Sequence, residues 1–228
     1  INYLRGELMK NLTVEFIKNN WSYKNNILNF DDFFKASILI PLCEIDGNLY
    51  IIFEKRATNI KQGDEICFPG GKYEKTDSNF SYTALRETSE ELGIGIDRIS
   101  IIHELDTLIS PFNSIIYSFL GFIEASSFND FNINLDEVQK LLFIPLDWFL
   151  NQNPEIYKIY HESHPHTFDS NGNKINTFPA KSFGLPDKYH TSWSNGFRDI
   201  FLYKYENEII WGFTAAILKD FIDKYNKL

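Results

Sequence analysis

Two hydrophobic runs near the start of the chain have the composition of neighbouring β-strands. They cover residues 35–45 (KASILIPLCEI) and 48–56 (NLYIIFEKR), and both are rich in isoleucine and leucine. Between them lies Asp46-Gly47, a dipeptide that favours the left-handed turn of a β-hairpin. The pattern therefore predicts an antiparallel strand pair. Further hydrophobic runs predict strands at 99–108 and 114–124 and a closing strand pair at 198–205 and 208–211.

Helices are predicted where apolar positions recur every three or four residues. The segment 70–94 ends in such a stretch, with an apolar stripe and a terminating glycine, Gly93. Alternating strands and helices indicate an α/β (α+β) fold in which helices cover a mixed sheet. Similar spacing predicts helices at 135–142 and 214–225, and a helical N-terminal extension within residues 1–34 that rests on Leu8, Leu12, Val14 and Phe16.

Residues 151–197 lack sustained periodicity and are rich in asparagine, serine, proline, glycine and histidine. This composition predicts a long loop or an insertion, and such segments often serve as lids or partner surfaces. The segment is therefore a candidate for covering a ligand or for forming a homodimer. It also contains His161, His164 and His166, which we interpret as part of a polar loop rather than a zinc site because no cysteine lies nearby.

Length and composition fit a single domain that spans residues 1–228. The chain is 43% hydrophobic, which is enough to build one substantial core. Its formal net charge of −9 argues against sequence-independent binding to nucleic acid. Cys43 and Cys67 lie in apolar, strand-like runs and are predicted to pack as small hydrophobic side chains.

No stretch of the sequence resembles a secretory signal or approaches the roughly 20 apolar residues of a membrane helix. The sequence therefore predicts a cytoplasmic protein without a membrane partner. The residues Asn226, Lys227 and Leu228 weakly resemble a peroxisomal Ser-Lys-Leu signal, which gives a peroxisomal location as the alternative. The chain begins at Ile1 rather than at methionine, which leaves its natural start open.

A short acidic cluster in the predicted helix is the strongest chemical signal in the sequence. Arg86, Glu87, Glu90 and Glu91 lie close together, and glutamates three or four positions apart on a helix repel each other. They also crowd the last turn, where the helix dipole disfavours negative charge. Carboxylate oxygens on a rigid element suit Mg²⁺ or Mn²⁺, which activate water and orient phosphates. The cluster therefore predicts metal-dependent phosphate chemistry, with Glu87 and Glu91 as the principal ligands.

Two further groups of residues are candidates for the same site. Gly70 and Gly71 precede the helix, and a glycine pair lets backbone groups approach a ligand closely. We expect Gly70 to lend a carbonyl oxygen to the metal and both glycines to border the substrate; the alternative is a tight turn after a strand. Lys55 and Arg56, at the end of the second predicted strand, are candidates for contact with phosphate, with a plain surface position as the alternative.

The segment 71–94 resembles the signature of the Nudix hydrolases. Its second half matches every fixed position, from Arg86-Glu87 to Gly93-Ile94. One extra residue separates Gly71 from Arg86, and the first glutamate of the signature is replaced by Asp77 or, counted back from the arginine, by Ser78. The coenzyme A diphosphatase branch of the family has the same extra residue and an aspartate there. The segments 54–71, 108–123, 143–150 and 209–218 resemble that branch in the same order.

Resemblance to this branch implies an α/β/α Nudix sandwich that hydrolyses coenzyme A or its derivatives to adenosine 3′,5′-bisphosphate and 4′-phosphopantetheine. Residues 61–65 are shorter than the usual Arg-rich, His-containing run of the branch, which points to an altered preference among nucleoside diphosphates. The implied roles are metal ligation by Glu87 and Glu91, support by Glu90, orientation of these acids by Arg86, and general base catalysis by Asp136 or Glu137.

Two other functions stay open at this point. A diphosphatase for ADP-ribose or a dinucleotide would use the same metal chemistry on another small nucleotide. A catalytically silent domain that only binds a nucleotide belongs to a different class, and the intact acidic cluster argues against it. Hydrolysis of nucleoside triphosphates is less favoured, because the additional segments match the coenzyme A branch.

Overall fold

The structure, a computed structural model, describes residues 14–20 and 27–228, and the chain divides into two compact units, 1–33 and 34–228. In the first unit, helix α1 spans Val14–Asn20 and a 3₁₀ turn spans Phe30–Asp32. Val14 and Phe16, whose spacing contributed to the predicted N-terminal helix, lie in α1. Leu8 and Leu12, the other two positions of that prediction, lie outside the described residues.

The second unit is built on an eight-stranded mixed sheet. Its strands are β1 (Phe34–Ile45), β2 (Asn48–Arg56), β3 (Ile66–Cys67), β4 (Gly70–Lys72), β5 (Ile99–Glu104), β6 (Leu108–Ser110), β7 (Ser114–Ile123) and β8 (Val138–Pro145). They follow the order β3-β2-β1-β7-β5, while β4 pairs with β1, β6 with β7 and β8 with β2. The pairing of β1 with β7 is parallel and the other pairings in this sheet are antiparallel. The prediction of a mixed sheet is confirmed.

The first hairpin forms where the sequence predicted it. Ile45 pairs with Asn48, and the two residues between them adopt the left-handed conformation, with φ of 52° at Asp46 and 74° at Gly47. Both central positions of a type I′ turn need a positive φ, which glycine and aspartate tolerate better than most residues. The local turn chemistry therefore sets the register of β1 and β2.

Helices cover both faces of the sheet. Leu39 and Ile40 are neighbours in β1 and point to opposite faces. Leu39 packs in one core with Ala84 and Leu92 of helix α2 (Phe80–Leu92), whereas Ile40 packs in the other core with Leu218 of helix α4 (Gly212–Tyr225). A short helix, α3 (Leu146–Leu150), follows β8. This arrangement confirms the predicted α/β/α sandwich.

Local signals fix both ends of α2. The side chain of Asn79 accepts a hydrogen bond from the Tyr82 N–H at 2.9 Å, which satisfies a free donor in the first turn. At the other end, Gly93 adopts the left-handed conformation with φ of 61°. The predicted helix end at Gly93 is confirmed. Across the described part of the chain, no helix combines the length and the hydropathy that crossing a bilayer requires.

A separate three-stranded antiparallel sheet consists of β9 (Glu155–Ser163), β12 (Trp193–Tyr205) and β13 (Glu208–Trp211). The closing strand pair and the helix after it are confirmed, although β12 and α4 begin earlier than predicted. The prediction of an irregular segment at 151–197 is wrong in two places. Residues 155–163 form β9, and β10 (His166–Phe168) pairs with β11 (Lys174–Asn176) in a hairpin. β9 takes its backbone hydrogen bonds from the distant β12. Its isoleucines and tyrosines favour a strand, but the polar composition of the whole segment outweighed this local signal in the prediction.

The helix predicted at 135–142 is also wrong, because this segment leads into β8. Residues 135–137 form a turn, and the strand that follows pairs with β2, from Val138 opposite Arg56 to Pro145 opposite Tyr50. The segment has apolar positions at helical spacing, but pairing with a central strand decides its conformation. The strand predicted at 99–108 is divided, since β5 ends at Glu104 and β6 begins at Leu108.

Candidate active site

The acidic cluster lies in the second half of α2, where the helix packs against β4. Glu91 is only 4% exposed, and its Oε2 accepts a hydrogen bond from the Gly70 N–H at 2.8 Å. Gly70 in turn lies so close to β1 that a Cβ atom there would come within 2.3 Å of the Ser37 carbonyl oxygen. The glycine turn and the acidic helix therefore meet at Gly70, a position that no larger residue can occupy without moving β1.

Glu87 lies one turn earlier on the same face of α2 and covers Gly71. A Cβ atom on Gly71 would lie 2.5 Å from Cδ of Glu87, so the glycine leaves the space that this carboxylate fills. Burial raises the pKa of Glu87, Arg86 opposes this effect, and the negative charges of Glu90 and Glu137 add to it. Glu87 is thus a partly desolvated carboxylate held over the glycine turn.

Arg86 binds the acids around it. Its Nε and Nη2 donate to the two carboxylate oxygens of Asp77 at 2.9 and 3.1 Å. Nη2 also lies 2.9 Å from Glu87, and Nη1 lies 3.1 Å from Glu90, whose side chain is 56% exposed. The hydrogen bonds from Arg86 lower the pKa of the buried Asp77 to about 2. Asp77 therefore anchors Arg86, and Arg86 orients Glu87 and Glu90 without lining the pocket described below.

Replacing Asp77 with asparagine should change the pH dependence of stability. The pKa of Asp77 is lowered from 3.8 to about 2 in the folded protein. Its ionised form therefore stabilises the fold above about pH 4, and this contribution is lost as the pH falls toward 2. At neutral pH we expect Asp77→Asn to lower the free energy of unfolding by about 3 kcal/mol, because Arg86 loses a buried partner.

Chemical denaturation of both proteins at neutral pH and near pH 2.5 measures this effect. The difference in stability between them should shrink strongly at the lower pH. A difference that is the same at both pH values would count against the bidentate Asp77–Arg86 pair.

Glu54 is a buried acid that the sequence interpretation overlooked. It is 0% exposed in β2, where its Oε1 accepts a hydrogen bond from Sγ of Cys67 at 3.2 Å and lies 3.6 Å from Nη1 of Arg56. Its other oxygen, Oε2, is buried and has no hydrogen-bond partner among the described residues. Burial raises the pKa of Glu54, and burial together with the charge of Glu54 raises the pKa of Glu91. The two carboxyl groups are therefore close neighbours in a poorly solvated place.

Glu54, Glu87 and Glu91 together offer the oxygen ligands that a hard divalent cation prefers. Two buried carboxylates side by side are unfavourable unless a proton or a cation offsets their charge. The free Oε2 of Glu54 leaves one oxygen available for such a partner. Within the described ranges, no three His, Cys, Asp or Glu side chains are already gathered as a complete ligand set. The fit to Mg²⁺ or Mn²⁺ therefore rests on the type of donor and on the charge of these acids.

A pocket of about 580 Å³ borders the acids. Gly70, Arg56 and Cys67 line it, and each of them contacts Glu91 or Glu54. Most of the remaining lining is hydrophobic or aromatic and includes Phe68, Phe112, Tyr157, Ile159, Trp211 and Phe213. The volume is in the range of nucleotide-sized ligand sites. The pocket is thus a largely apolar chamber beside the acids, and Glu54, Glu87 and Glu91 are not themselves among its lining residues.

The structure separates the two basic residues predicted to contact phosphate. Arg56 lines the pocket and donates to the Lys61 carbonyl oxygen at 3.3 Å. Lys55 precedes Arg56 in β2 and points to the opposite face, where its Nζ lies 3.1 Å from Glu208. Lys140 pairs with the same carboxylate at 2.6 Å. Lys55 is therefore not brought to this pocket.

Asp136 and Glu137, the candidates for the general base, lie exposed in the turn before β8 rather than at the start of a helix. The main-chain carbonyl of Glu137 accepts a hydrogen bond from the Ala57 N–H at 2.8 Å, which ties this turn to the end of β2. The negative charge of Glu137 also contributes to the raised pKa of Glu87, after burial and Glu90. Glu137 therefore lies at the edge of the acidic cluster.

The cysteines and histidines differ in their surroundings. Cys43 is fully buried in the core under α2, which confirms its predicted packing role, and burial raises its pKa to about 12. Cys67 is half-buried and donates a hydrogen bond to Glu54, so it has a polar contact in addition to the predicted packing role. His161 and His166 lie in strands rather than in a loop, and Nε2 of His164 lies 3.2 Å from Glu162.

The strands and the helix that carry these acids match a known protein family. The family model described as NUDIX domain matches residues 34–163, a range that contains β2, the glycine turn and α2. The chain belongs to the NUDIX domain family. The resemblance found in the sequence is thereby confirmed, and the matched range contains the acids of α2.

Several curated proteins resemble this NUDIX domain. The peroxisomal coenzyme A diphosphatase NUDT7 of Mus musculus is 34% identical over 124 residues, which cover 54% of this chain and 51% of that protein. The mitochondrial coenzyme A diphosphatase NUDT8 of Homo sapiens is 30% identical over 125 residues, which cover 54% and 52%. The uncharacterized Nudix hydrolase NudL of Yersinia pestis is 28% identical over 202 residues, which cover 86% and 84%. The match therefore spans about half the length of the two coenzyme A diphosphatases.

Proposed function

We propose that this NUDIX domain hydrolyses the diphosphate of coenzyme A or a close derivative and releases adenosine 3′,5′-bisphosphate and 4′-phosphopantetheine. The observation that carries the proposal is the junction of buried acids with an apolar pocket, made where Gly70 contacts Glu91 and Arg56 contacts Glu54. Coenzyme A combines a diphosphate, which requires cationic partners, with a base and a pantetheine arm, which favour an apolar surface. Similarity to two proteins named as coenzyme A diphosphatases supports this choice.

A divalent cation is part of the proposal, as Mg²⁺ or Mn²⁺. When bound, it neutralises charge on the diphosphate and lowers the pKa of a bound water molecule. Glu87 and Glu91 are the proposed ligands, with the Gly70 carbonyl and the free oxygen of Glu54 completing the set. Glu90 supports the site from its more exposed position, and Arg86 keeps Glu87 and Glu90 in place through its bonds to Asp77.

Hydrolysis exchanges the bridging P–O bond of the diphosphate for a bond to the oxygen of water. As water attacks one phosphorus, the bond to the bridging oxygen breaks and its electron pair leaves with the departing phosphate. Glu137 is the proposed base that accepts the proton of the attacking water, because it lies at the edge of the acidic cluster. Arg56, which lines the pocket beside Glu54, stabilises the negative charge of the departing phosphate.

A substrate panel tests the proposal. The protein is incubated with Mg²⁺ or Mn²⁺ and with coenzyme A, ADP-ribose or a dinucleotide, and the products are identified by mass. We expect cleavage of coenzyme A with kcat/KM at least about 10-fold above the other compounds. Cleavage of ADP-ribose with coenzyme A untouched would overturn the substrate assignment. Binding without turnover of any compound would indicate a catalytically silent domain.

One observation favours ADP-ribose or a dinucleotide as the second candidate. Gln62 and Glu65 line the pocket, and both belong to the segment 61–65 that departs from the coenzyme A branch pattern. An amide and a carboxylate recognise hydroxyl groups such as those of ribose more readily than a phosphate. The same panel distinguishes this candidate. ADP-ribose and dinucleotides contain a second ribose, which appears in their cleavage products, whereas coenzyme A contains only one.

A further inference from the structure

Arg198 places a second positive charge on the pocket wall. It lies in β12 directly opposite Ile159 of β9, and both residues line the pocket. The neighbouring residues of β12 alternate, so that Ile200 also faces the pocket while Asp199 points away and pairs with Lys158. The pocket therefore has two arginines in its lining, Arg56 beside the acids and Arg198 on the small sheet.

Two aromatic rings flank the side chain of Arg198. Its guanidinium lies 5.1 Å from the centre of the Phe213 ring and 5.8 Å from that of Phe112. A cation over the face of an aromatic ring at about these distances is attracted by the ring. Its Nε is buried without a hydrogen-bond partner, and Arg198 enters no ion pair within the described parts of the chain.

The other arginines near the site are already engaged. Arg56 lies 3.6 Å from Glu54 and donates to the Lys61 carbonyl oxygen, and Arg86 is held by Asp77, Glu87 and Glu90. A guanidinium that is partly desolvated and lacks a counter-ion is unfavourable in the absence of a ligand. Its planar set of N–H groups matches phosphate and carboxylate oxygens two at a time. Arg198 is therefore arranged to receive an anion from a ligand in the pocket.

We propose that Arg198 binds the 3′-phosphate of the substrate and thereby selects coenzyme A over nucleotides that lack this group. The inference rests on the proposed function, in which the diphosphate lies at the acids of α2. Coenzyme A carries one further anion, the phosphate monoester on its ribose. Phe213 and Phe112 hold the guanidinium at the pocket wall, and its N–H groups are the donors that would bind that phosphate.

A binding experiment tests this role without relying on turnover. Calorimetry in the presence of Mg²⁺ compares adenosine 3′,5′-bisphosphate with AMP, which lacks the 3′-phosphate. We expect the wild-type protein to bind the bisphosphate about 10- to 100-fold more tightly, as a charge-assisted bidentate contact provides. Arg198→Gln should remove this preference and leave AMP binding unchanged, whereas Arg198→Lys should retain part of it.

Lys158→Gln is the matched control, because Lys158 lies beside Arg198 on the same sheet and points to the opposite face. It should keep the full preference for the bisphosphate. Equal affinity of the wild-type protein for both nucleotides, or equal weakening of both by Arg198→Gln, would overturn the proposal. If Arg198→Gln does not fold, the wild-type comparison and Arg198→Lys decide the question.

A second measurement separates this inference from the proposed function. The kcat/KM ratio for coenzyme A against 3′-dephospho-coenzyme A is measured in the wild-type protein and in Arg198→Gln. A large ratio that falls to about 1 in the variant supports the role of Arg198. An unchanged ratio with active cleavage of coenzyme A contradicts that role and leaves the proposed function intact. A preference for the bisphosphate without any cleavage of coenzyme A supports the anion site and contradicts the proposed function.

Discussion

Changing Glu87 and Glu91 together to glutamine should lower kcat/KM for the preferred substrate by at least about 10³-fold. The two carboxylates lie one turn apart on α2, over Gly71 and Gly70 respectively, and they are the proposed principal ligands of the divalent cation. Glutamine has nearly the same shape but carries no charge, so it cannot compensate a divalent cation next to a diphosphate. Initial rates with Mg²⁺ at saturating and limiting substrate measure the loss.

The loss should come from chemistry rather than from unfolding. Glu91 is buried beside Glu54, and removing its charge relieves repulsion between the two carboxyl groups. We therefore expect the double variant to unfold cooperatively at a temperature close to that of the wild-type protein. The matched control is the double variant Glu44→Gln and Glu104→Gln, which removes the same charge from two exposed strand positions. An active Glu87→Gln, Glu91→Gln protein would refute the assignment of these acids.

Glu54→Gln should change stability and cation affinity in opposite directions. Glutamine removes the buried negative charge next to Glu91 and retains an oxygen that can accept the hydrogen bond from Cys67. In EDTA we expect the free energy of unfolding to rise by about 1 kcal/mol, because a poorly compensated buried charge is lost. With Mn²⁺ we expect the affinity for the cation to fall by about 10- to 100-fold.

Thermal unfolding with EDTA and across a series of Mn²⁺ concentrations measures both changes in Glu54→Gln. The gain in melting temperature on adding Mn²⁺ depends on the affinity of the folded state for the cation. Glu44→Gln again provides a control for the loss of one negative charge at an exposed position. A normal response to Mn²⁺ in Glu54→Gln would exclude Glu54 from the cation site.

The elements that the sequence predicted well are those with local signals. Asp46-Gly47 determines its hairpin because both residues accept a positive φ. Gly93 ends α2 for the same reason, and the spacing of Glu87 and Glu91 follows directly from the helix. The acids of α2 and the glycine turn could therefore be predicted from short stretches of sequence.

The elements that were missed depend on partners far away in the chain. The segment 135–142 has helical spacing, but most of it belongs to β8 because it pairs with β2. β9 is largely exposed, and its backbone hydrogen bonds come from β12, far along the chain. Arg198 could not be recognised as a candidate ligand-binding residue from the sequence, because the pairing of β12 with β9 places it in the pocket lining.

Glu54 had a sequence signal that could have been used. It directly follows the continuous apolar run Ile51, Ile52 and Phe53 in a predicted strand. Strands that read as continuous apolar runs are buried on both faces, so an acid at the end of such a run is a candidate buried carboxylate. Its proximity to Glu91 could not be predicted, because this depends on how α2 packs against the sheet.

The central claim is that the acids of α2 form a divalent cation site. Electron paramagnetic resonance of free Mn²⁺ tests this most directly, because it measures uptake of the cation without substrate or turnover. We predict that the wild-type protein takes up Mn²⁺ and that the Glu87→Gln, Glu91→Gln variant takes up far less at the same concentrations. Equal uptake by the two proteins would contradict the account.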